Sequence, residues 1–189
     1  MYDIMENYTG DFIRYHSGIA KMKALIDKKR LNVWREVHTT ILQGEAGSGK
    51  SKYVYDKHGY ENVFKIDQRL MKTDFWGSYD GESVLLIDDF NGWIQYTYLL
   101  QILDGHPIGL NIKNGGTYAN WKHVYFTSNC SMSYWYKKIG DNLARRIKSC
   151  LEVTKGNTEP LSIDKRLEKD YGSGYDNGYN IDGFEDEFD

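Results

Sequence analysis

Hydrophobic and polar positions follow two rhythms along this chain, and the change between them falls near Trp34. Before it, Phe12, Tyr15, Ile19, Met22 and Ile26 recur at spacings of three and four between charged residues. That spacing predicts one helix over residues 10–30 with a single apolar stripe. The stripe is too short for a free coiled coil, and two destinations fit it: the chain's own core or a neighbouring subunit. After Trp34 the pattern breaks into short apolar runs. Strands are predicted over residues 37–42, 62–66, 84–87 and 124–127, and helices over 50–58, 96–103 and 141–149. Residues 108–113 and 117–121 flank Asn114-Gly115-Gly116, which tolerates positive φ and predicts a hairpin. Runs as apolar as Val84-Leu85-Leu86-Ile87 belong in a parallel sheet covered on both faces, so the expected layout is α/β.

Between the first predicted strand and the helix that follows lies Gly44-Glu45-Ala46-Gly47-Ser48-Gly49-Lys50-Ser51. This fits the phosphate-binding loop G-x-x-x-x-G-K-[ST]. Its glycines let backbone N–H groups turn toward phosphate oxygens, Lys50 brings positive charge to the terminal phosphates, and the Ser51 hydroxyl can sit on Mg²⁺. The helix beginning there favours the same anion through its N-terminus. A nucleoside triphosphate, ATP, with Mg²⁺ is the expected ligand. A Gly-rich turn without function is the rival reading, and the order strand, loop, helix argues against it.

Two later strands end in polar groups. Asp88 and Asp89 follow the apolar 84–87 run, where strand ends in parallel sheets face the ligand crevice. Asp88 is the expected Mg²⁺ partner, and Asp89 the group that orients and deprotonates attacking water. Asn129, after residues 124–127, can hydrogen-bond a γ-phosphate and water, or simply start a turn. Arg145 and Arg146 offer a planar fork suited to spread phosphate charge, in the manner of an arginine finger reaching a neighbour's ATP, or a surface basic pair. Lys113 at the hairpin tip, with Lys122 and His123 beyond it, are the candidate DNA-binding residues, because single-strand grooves combine cations with aromatic platforms. Trp121 between them reads as core.

Composition alters this picture at few points. Of 189 residues, 15% are aromatic, 16 of them Tyr, so the interior is expected to be rich in rings with a polar tip. The two cysteines, Cys130 and Cys150, are too few for a disulfide framework or zinc site and fit a reducing, intracellular setting. No run approaches ~18 apolar residues, and no membrane association is expected. Seven of the 27 acidic residues and none of the 24 basic ones lie from Asp170 onward, leaving a mildly basic body before an acidic, Gly- and Tyr-rich tail predicted to be disordered. The expected organisation is a helical segment over 1–33, a core over 34–160 and a tail over 161–189.

Taken together, the phosphate loop, the Val84-to-Phe90 stretch, Lys113-Asn114-Gly115-Gly116, the strand ending at Asn129 and Ala144-Arg145-Arg146-Ile147 resemble the superfamily 3 helicase domain. They are most similar to the replication initiator (Rep) proteins of circular single-stranded DNA viruses, circovirus-like ones in particular. Phe75-Trp76-Gly77-Ser78-Tyr79-Asp80-Gly81-Glu82-Ser83 and Trp135-Tyr136 strengthen the likeness. The resemblance implies a P-loop NTPase with an AAA+-like core and parallel central sheet, preceded by a small helical oligomerisation segment. It implies an ATP-dependent DNA helicase working as a ring, a hexamer, on single-stranded DNA during rolling-circle replication in the host nucleus. Lys50 and Ser51 would bind phosphates and Mg²⁺, Asp88 and Asp89 would form the acidic pair, and Asn129 would act as sensor. One of Arg145 and Arg146, with Arg146 favoured, would be the finger, and Lys113 would sit on the pore loop. A viral RNA helicase, an ATP-dependent assembly or packaging factor and a small-molecule kinase are the alternatives, the kinase leaving Asp88-Asp89, Asn129 and the arginines unexplained. Rep nicking domains carry a His-hydrophobic-His motif, and no His-x-His triplet occurs here. The nicking endonuclease is therefore expected elsewhere, and Tyr53-x-x-x-Lys57 is read as coincidence.

Overall fold

The structure, a computed structural model, describes residues 7–70, 76–112, 115–136 and 140–160. The expected acidic tail and Lys113 lie outside the described residues. A six-stranded sheet organises the rest. Its strands are β1 (His38–Gln43), β2 (Val63–Ile66), β3 (Val84–Ile87), β6 (His123–Ser128), β7 (Ile147–Thr154) and β8 (Asn157–Pro160), in the spatial order β2-β3-β6-β1-β7-β8. All neighbours run parallel except β7 and β8, which form an antiparallel pair. Strands β4 (Gly109–Ile112) and β5 (Gly115–Tyr118) form the separate antiparallel hairpin that was expected, but Gly115 and Gly116 belong to β5, paired with Ile112 and Asn111, rather than to the turn.

Side-chain alternation decides what each face of the sheet packs against. Leu85, Ile87, Val124 and Phe126 point to one face and Val84, Leu86 and Tyr125 to the other. Because β3 and β6 are covered on both sides, all four residues of β3 are buried, which explains its unbroken apolar run. Helix α2 (Lys50–His58) covers the second face through the buried Val54. Helix α3 (Tyr96–Ile102) covers the first through Leu99 and Ile102. There Trp121 is fully buried, stacks on Trp76 at a centroid distance of 5.1 Å and donates its indole N–H to the Ile102 carbonyl at 3.1 Å. It is a core residue, as expected. Cys150 is buried and Cys130 half-buried, and neither forms a disulfide.

Helix α1 (Thr9–Leu31) matches the expected first helix and lies against β5. Three residues of its predicted stripe do not join the chain's own core: Tyr15, Met22 and Ile26 are each more than half exposed. The helix is fastened at its end instead. Leu31 is buried, and the Arg35 guanidinium, also buried, donates to the carbonyls of Trp121, Asp104 and His106 at 3.1, 3.1 and 3.2 Å.

One predicted element is overturned. The helix expected over 141–149 stops after one turn, α4 (Asp141–Ala144), and the chain enters β7 at Ile147. Ile147, Cys150 and Val153 recur every third residue, a spacing that imitates a helix face. The imitation arises because β7 has apolar contacts on both sides, with Cys150 in one core and Val153 in the other, and because its register against β1 shifts between Thr39 and Thr40. Strand β8 was not anticipated either.

Candidate phosphate-binding site

Strand β1 delivers the phosphate loop and α2 leaves it, in the order the motif requires. Two glycines are demanded by the geometry. A Cβ on Gly44 would lie 2.2 Å from the Val153 carbonyl oxygen, and Gly49 caps α2 with a φ of +98°. The buried Lys50 ammonium is held at the centre, donating to the carbonyls of Gly44 and Glu45 at 2.8 and 2.7 Å and to Asn129 Oδ1 at 2.7 Å. Burial pushes its pKa down, against the opposing pull of Asp89 and Asp88. Ser48 Oγ is buried without a hydrogen-bond partner among the described residues, an unsatisfied group in the position a phosphate oxygen would approach.

The acid at the end of β3 completes a second cluster. Asp88 Oδ1 accepts from Ser51 Oγ at 2.6 Å and Thr127 Oγ1 at 2.7 Å, while Oδ2 accepts from Lys65 Nζ at 3.1 Å. Burial alone would raise the Asp88 pKa, but these three donors outweigh it and hold the carboxyl below its usual value. A carboxylate and a hydroxyl, both hard oxygen donors, fit a hydrated Mg²⁺ that takes its remaining ligands from phosphate. Next to it Asp89 is exposed and adopts φ +49°, a left-handed conformation that glycine tolerates better than Asp does. Its backbone N–H donates to Thr127 Oγ1 at 2.8 Å, so the same hydroxyl fixes both acids.

Lys50, Ser51, Asp88, Asp89 and Asn129 are thus brought to the ends of three adjacent strands, β3, β6 and β1, with the loop wrapped over them. Arg145, Arg146, Lys122 and His123 are not in this cluster. Arg145 and Arg146 lie in the turn just after α4 rather than on a helix. Arg146 is committed within the chain, to Asp104 Oδ2 at 2.5 Å and the Asn142 carbonyl at 2.8 Å. Arg145 is exposed, and its guanidinium has no partner among the described residues. Lys122 and His123 stand at the opposite end of the sheet, where β6 begins. Sequence reading missed two groups, Lys65 and the bridging role of Thr127. A lone Lys in the apolar stretch Val63-Phe64-Lys65-Ile66 was the available signal for the first.

Comparison with known proteins agrees with this geometry. The family model described as RNA helicase matches residues 40–130, which contain the phosphate loop, Asp88 and Asn129. The replication-associated protein of Goose circovirus is 32% identical over 154 residues, covering 80% of this chain and 50% of that protein. The replication-associated protein of Porcine circovirus 2 is 29% identical over 151 residues, covering 77% and 46%. The chain therefore spans about half the length of the curated relatives it matches. Among solved structures the S. cerevisiae Hsp104-ADP complex aligns with a TM-score of 0.43 at 18% identity, over 79% of this chain and 37% of that one. That likeness is too distant to argue from, and the fold is read from the strand order and the loop. No helix among the described residues is long and apolar enough to cross a membrane. The chain has a P-loop NTPase fold and is similar to the RNA helicase family model over residues 40–130 and to the replication-associated proteins of circoviruses.

Proposed function

We propose that this chain is an ATP-driven motor that moves on single-stranded DNA and separates strands during viral rolling-circle replication, working as a hexameric ring. The observation that carries this reading is the pairing of Lys50 with Asn129 and of Ser51 with Asp88, which ties the loop to two further strand ends. ATP would lie over the loop, its phosphates against the N–H groups, the Ser48 hydroxyl and Lys50. Ser51 and Asp88 would hold Mg²⁺, whose charge supports the β- and γ-phosphates. Asp89 would orient the attacking water and accept its proton, and Asn129 would report on the γ-phosphate to Lys50. Catalysis of this kind is mostly positioning and charge neutralisation.

Shared sites between subunits follow from the arginines. Arg146 is occupied by Asp104, so Arg145, exposed in the adjacent turn, is the better candidate for the group that reaches a neighbour's ATP. The exposed Tyr15, Met22, Leu25 and Ile26 on α1 suit a surface covered in an assembly, consistent with the proposed 1–33 oligomerisation segment. Lys122 and His123, with Lys113, would contact DNA. The host nucleus is the proposed setting.

The decisive experiment is the rate of ATP hydrolysis against protein concentration, with and without single-stranded DNA. A steep concentration dependence with DNA stimulation is expected, and flat kinetics indifferent to DNA would exclude the shared-site motor. The description of the matched family favours one second reading, an RNA helicase. Unwinding of matched DNA and RNA duplexes separates the two. Nucleotide-dependent rings that never separate strands would point instead to an assembly or packaging factor.

A further inference from the structure

Three of the five histidines converge at the end of the sheet away from the phosphate loop. His38 opens β1, His123 opens β6 directly beside it, and His58 ends α2 above them. The rings of His38 and His123 stack at 5.7 Å, and those of His58 and His123 lie 5.3 Å apart. Two lysines flank them. Lys57 places its ammonium over the rings of Tyr53 and Tyr125 at 5.6 and 5.9 Å, and exposed Lys122 precedes His123. The Tyr125 hydroxyl lies 2.9 Å from His58 Nε2.

What this cluster lacks is negative charge. Among the described residues the carboxylate found against the trio is Glu36, whose Oε1 is 3.7 Å from His38 Nε2 and whose side chain is 84% exposed. Burial, then the positive charge of neighbours, pushes His58 and His123 below the ordinary imidazole range. For His58 the neighbours are His123 and Lys57, and for His123 they are His38, Lys57 and Lys122. The α2 C-terminus welcomes cations at Lys57 and His58, but it does not account for His38 and His123 on the strands. At a rise of about 3.3 Å per residue, β1 separates the cluster from the phosphate loop by roughly 17 Å, so the two cannot hold the same phosphates.

We infer that His38, His58 and His123, with Lys57 and Lys122, form a second oxyanion site, one that takes phosphate groups of a nucleic-acid backbone or free phosphate. The inference deepens the nucleic-acid role proposed above for Lys122 and His123 and is independent of ATP chemistry. A bound phosphate supplies the missing counter-charge, so each imidazole that gains a proton strengthens binding, and binding draws the proton on. Two stacked imidazoles and a third within ring contact make that coupling stronger than scattered surface lysines would.

The test reads the imidazole Cε1 protons of the full chain by NMR across the titration, alone, with inorganic phosphate and with an oligo-dT strand. His16 and His106 serve as internal references. Either ligand is expected to raise the pKa of His58 and His123 by about one unit and leave the references unmoved. Affinity for that ligand, measured at constant salt, is expected to rise about tenfold from about pH 8 to about pH 6. Replacing His38→Gln and His123→Asn together is expected to cut that rise to about threefold, the share left to His58. A response to both ligands identifies a general phosphate site, and a response to oligo-dT alone identifies a backbone site. Oligo-dT bound with these resonances unmoved overturns the site and spares the DNA reading. Resonances that move with phosphate while oligo-dT does not bind keep the site and sink the DNA reading. No movement with either ligand overturns it outright.

Discussion

At the ends of β1, β3 and β6 the two central charges Lys50 and Asp88 are answered from within the chain, Lys50 by Asn129 and two loop carbonyls, Asp88 by Ser51, Thr127 and Lys65. At the starts of β1 and β6, some 17 Å away by strand rise, three imidazoles and two lysines meet, among the described residues, one largely exposed glutamate. The same sheet thus carries a preorganised site at one end and an uncompensated one at the other. Groups fixed by their own neighbours need no rearrangement to act on a ligand, which is what phosphoryl transfer rewards. Groups short of a partner respond to whatever supplies it, and to pH. The first arrangement suits chemistry, the second suits binding.

The contrast breaks most sharply at Lys50. Lys50→Ala is expected to lower ATP hydrolysis by about 10²-fold or more, as loss of a central electrostatic donor does, while circular dichroism shows the fold retained. Undiminished phosphate release would show that the compensated end is merely structural.

Next come the arginines, one compensated and one not. Arg145→Ala is expected to reduce hydrolysis in the assembled protein by about 10³-fold with an unchanged melting temperature. Arg146→Ala strands Asp104 and is expected to destabilise by about 2 kcal/mol, read from denaturant midpoints. The reverse pattern would return the finger role to Arg146.

Asp89 offers a smaller and more diagnostic effect. Its left-handed backbone is a local cost accepted at the site, so Asp89→Gly is expected to raise stability by up to about 1 kcal/mol while hydrolysis falls. A variant that loses both would place Asp89 in the scaffold rather than the chemistry.

The smallest effect belongs to the other end. His58 and His123 are held below the ordinary imidazole value in the folded chain, so the unfolded chain takes up protons first as pH falls through about 6.5. The stability contributed by their neutral forms is full above that pH and is lost as pH drops toward the depressed folded values. Melting temperatures are expected to fall by a few degrees over this window, less so in His58→Asn, and phosphate is expected to offset the fall. Melting curves that do not change across it would remove the electrostatic contrast between the two ends.

How legible these features were in the sequence depended on how many chain segments each one needs. The phosphate loop needs one, and its glycines, Lys50 and Ser51 were found where the motif put them. Asp88 and Asn129 each needed only the rule that acids and amides after apolar strands face the crevice. Lys65 was missed because its position depends on the register of β2 against β3, which sets Lys65 beside Leu86 and so within diagonal reach of Asp88, two residues further along the same face. The imidazole trio was invisible for the same reason, since residues 38, 58 and 123 meet only through the pairing of His38 with His123.

The 141–149 segment failed differently. Its apolar spacing is compatible with a helix, and only the free edge of β1 selects the extended form. The exposed stripe of α1 belongs to neither category, because the spacing named the residues and left open what they touch.

By itself the sequence determined the periodicities, the loop chemistry and the order of elements, all of which arise from interactions within a few residues or one turn. The tertiary structure alone decided which strands are neighbours, which charges are answered and which are left over. Those outcomes depend on burying both faces of the sheet at once, and no local window of the chain contains that constraint.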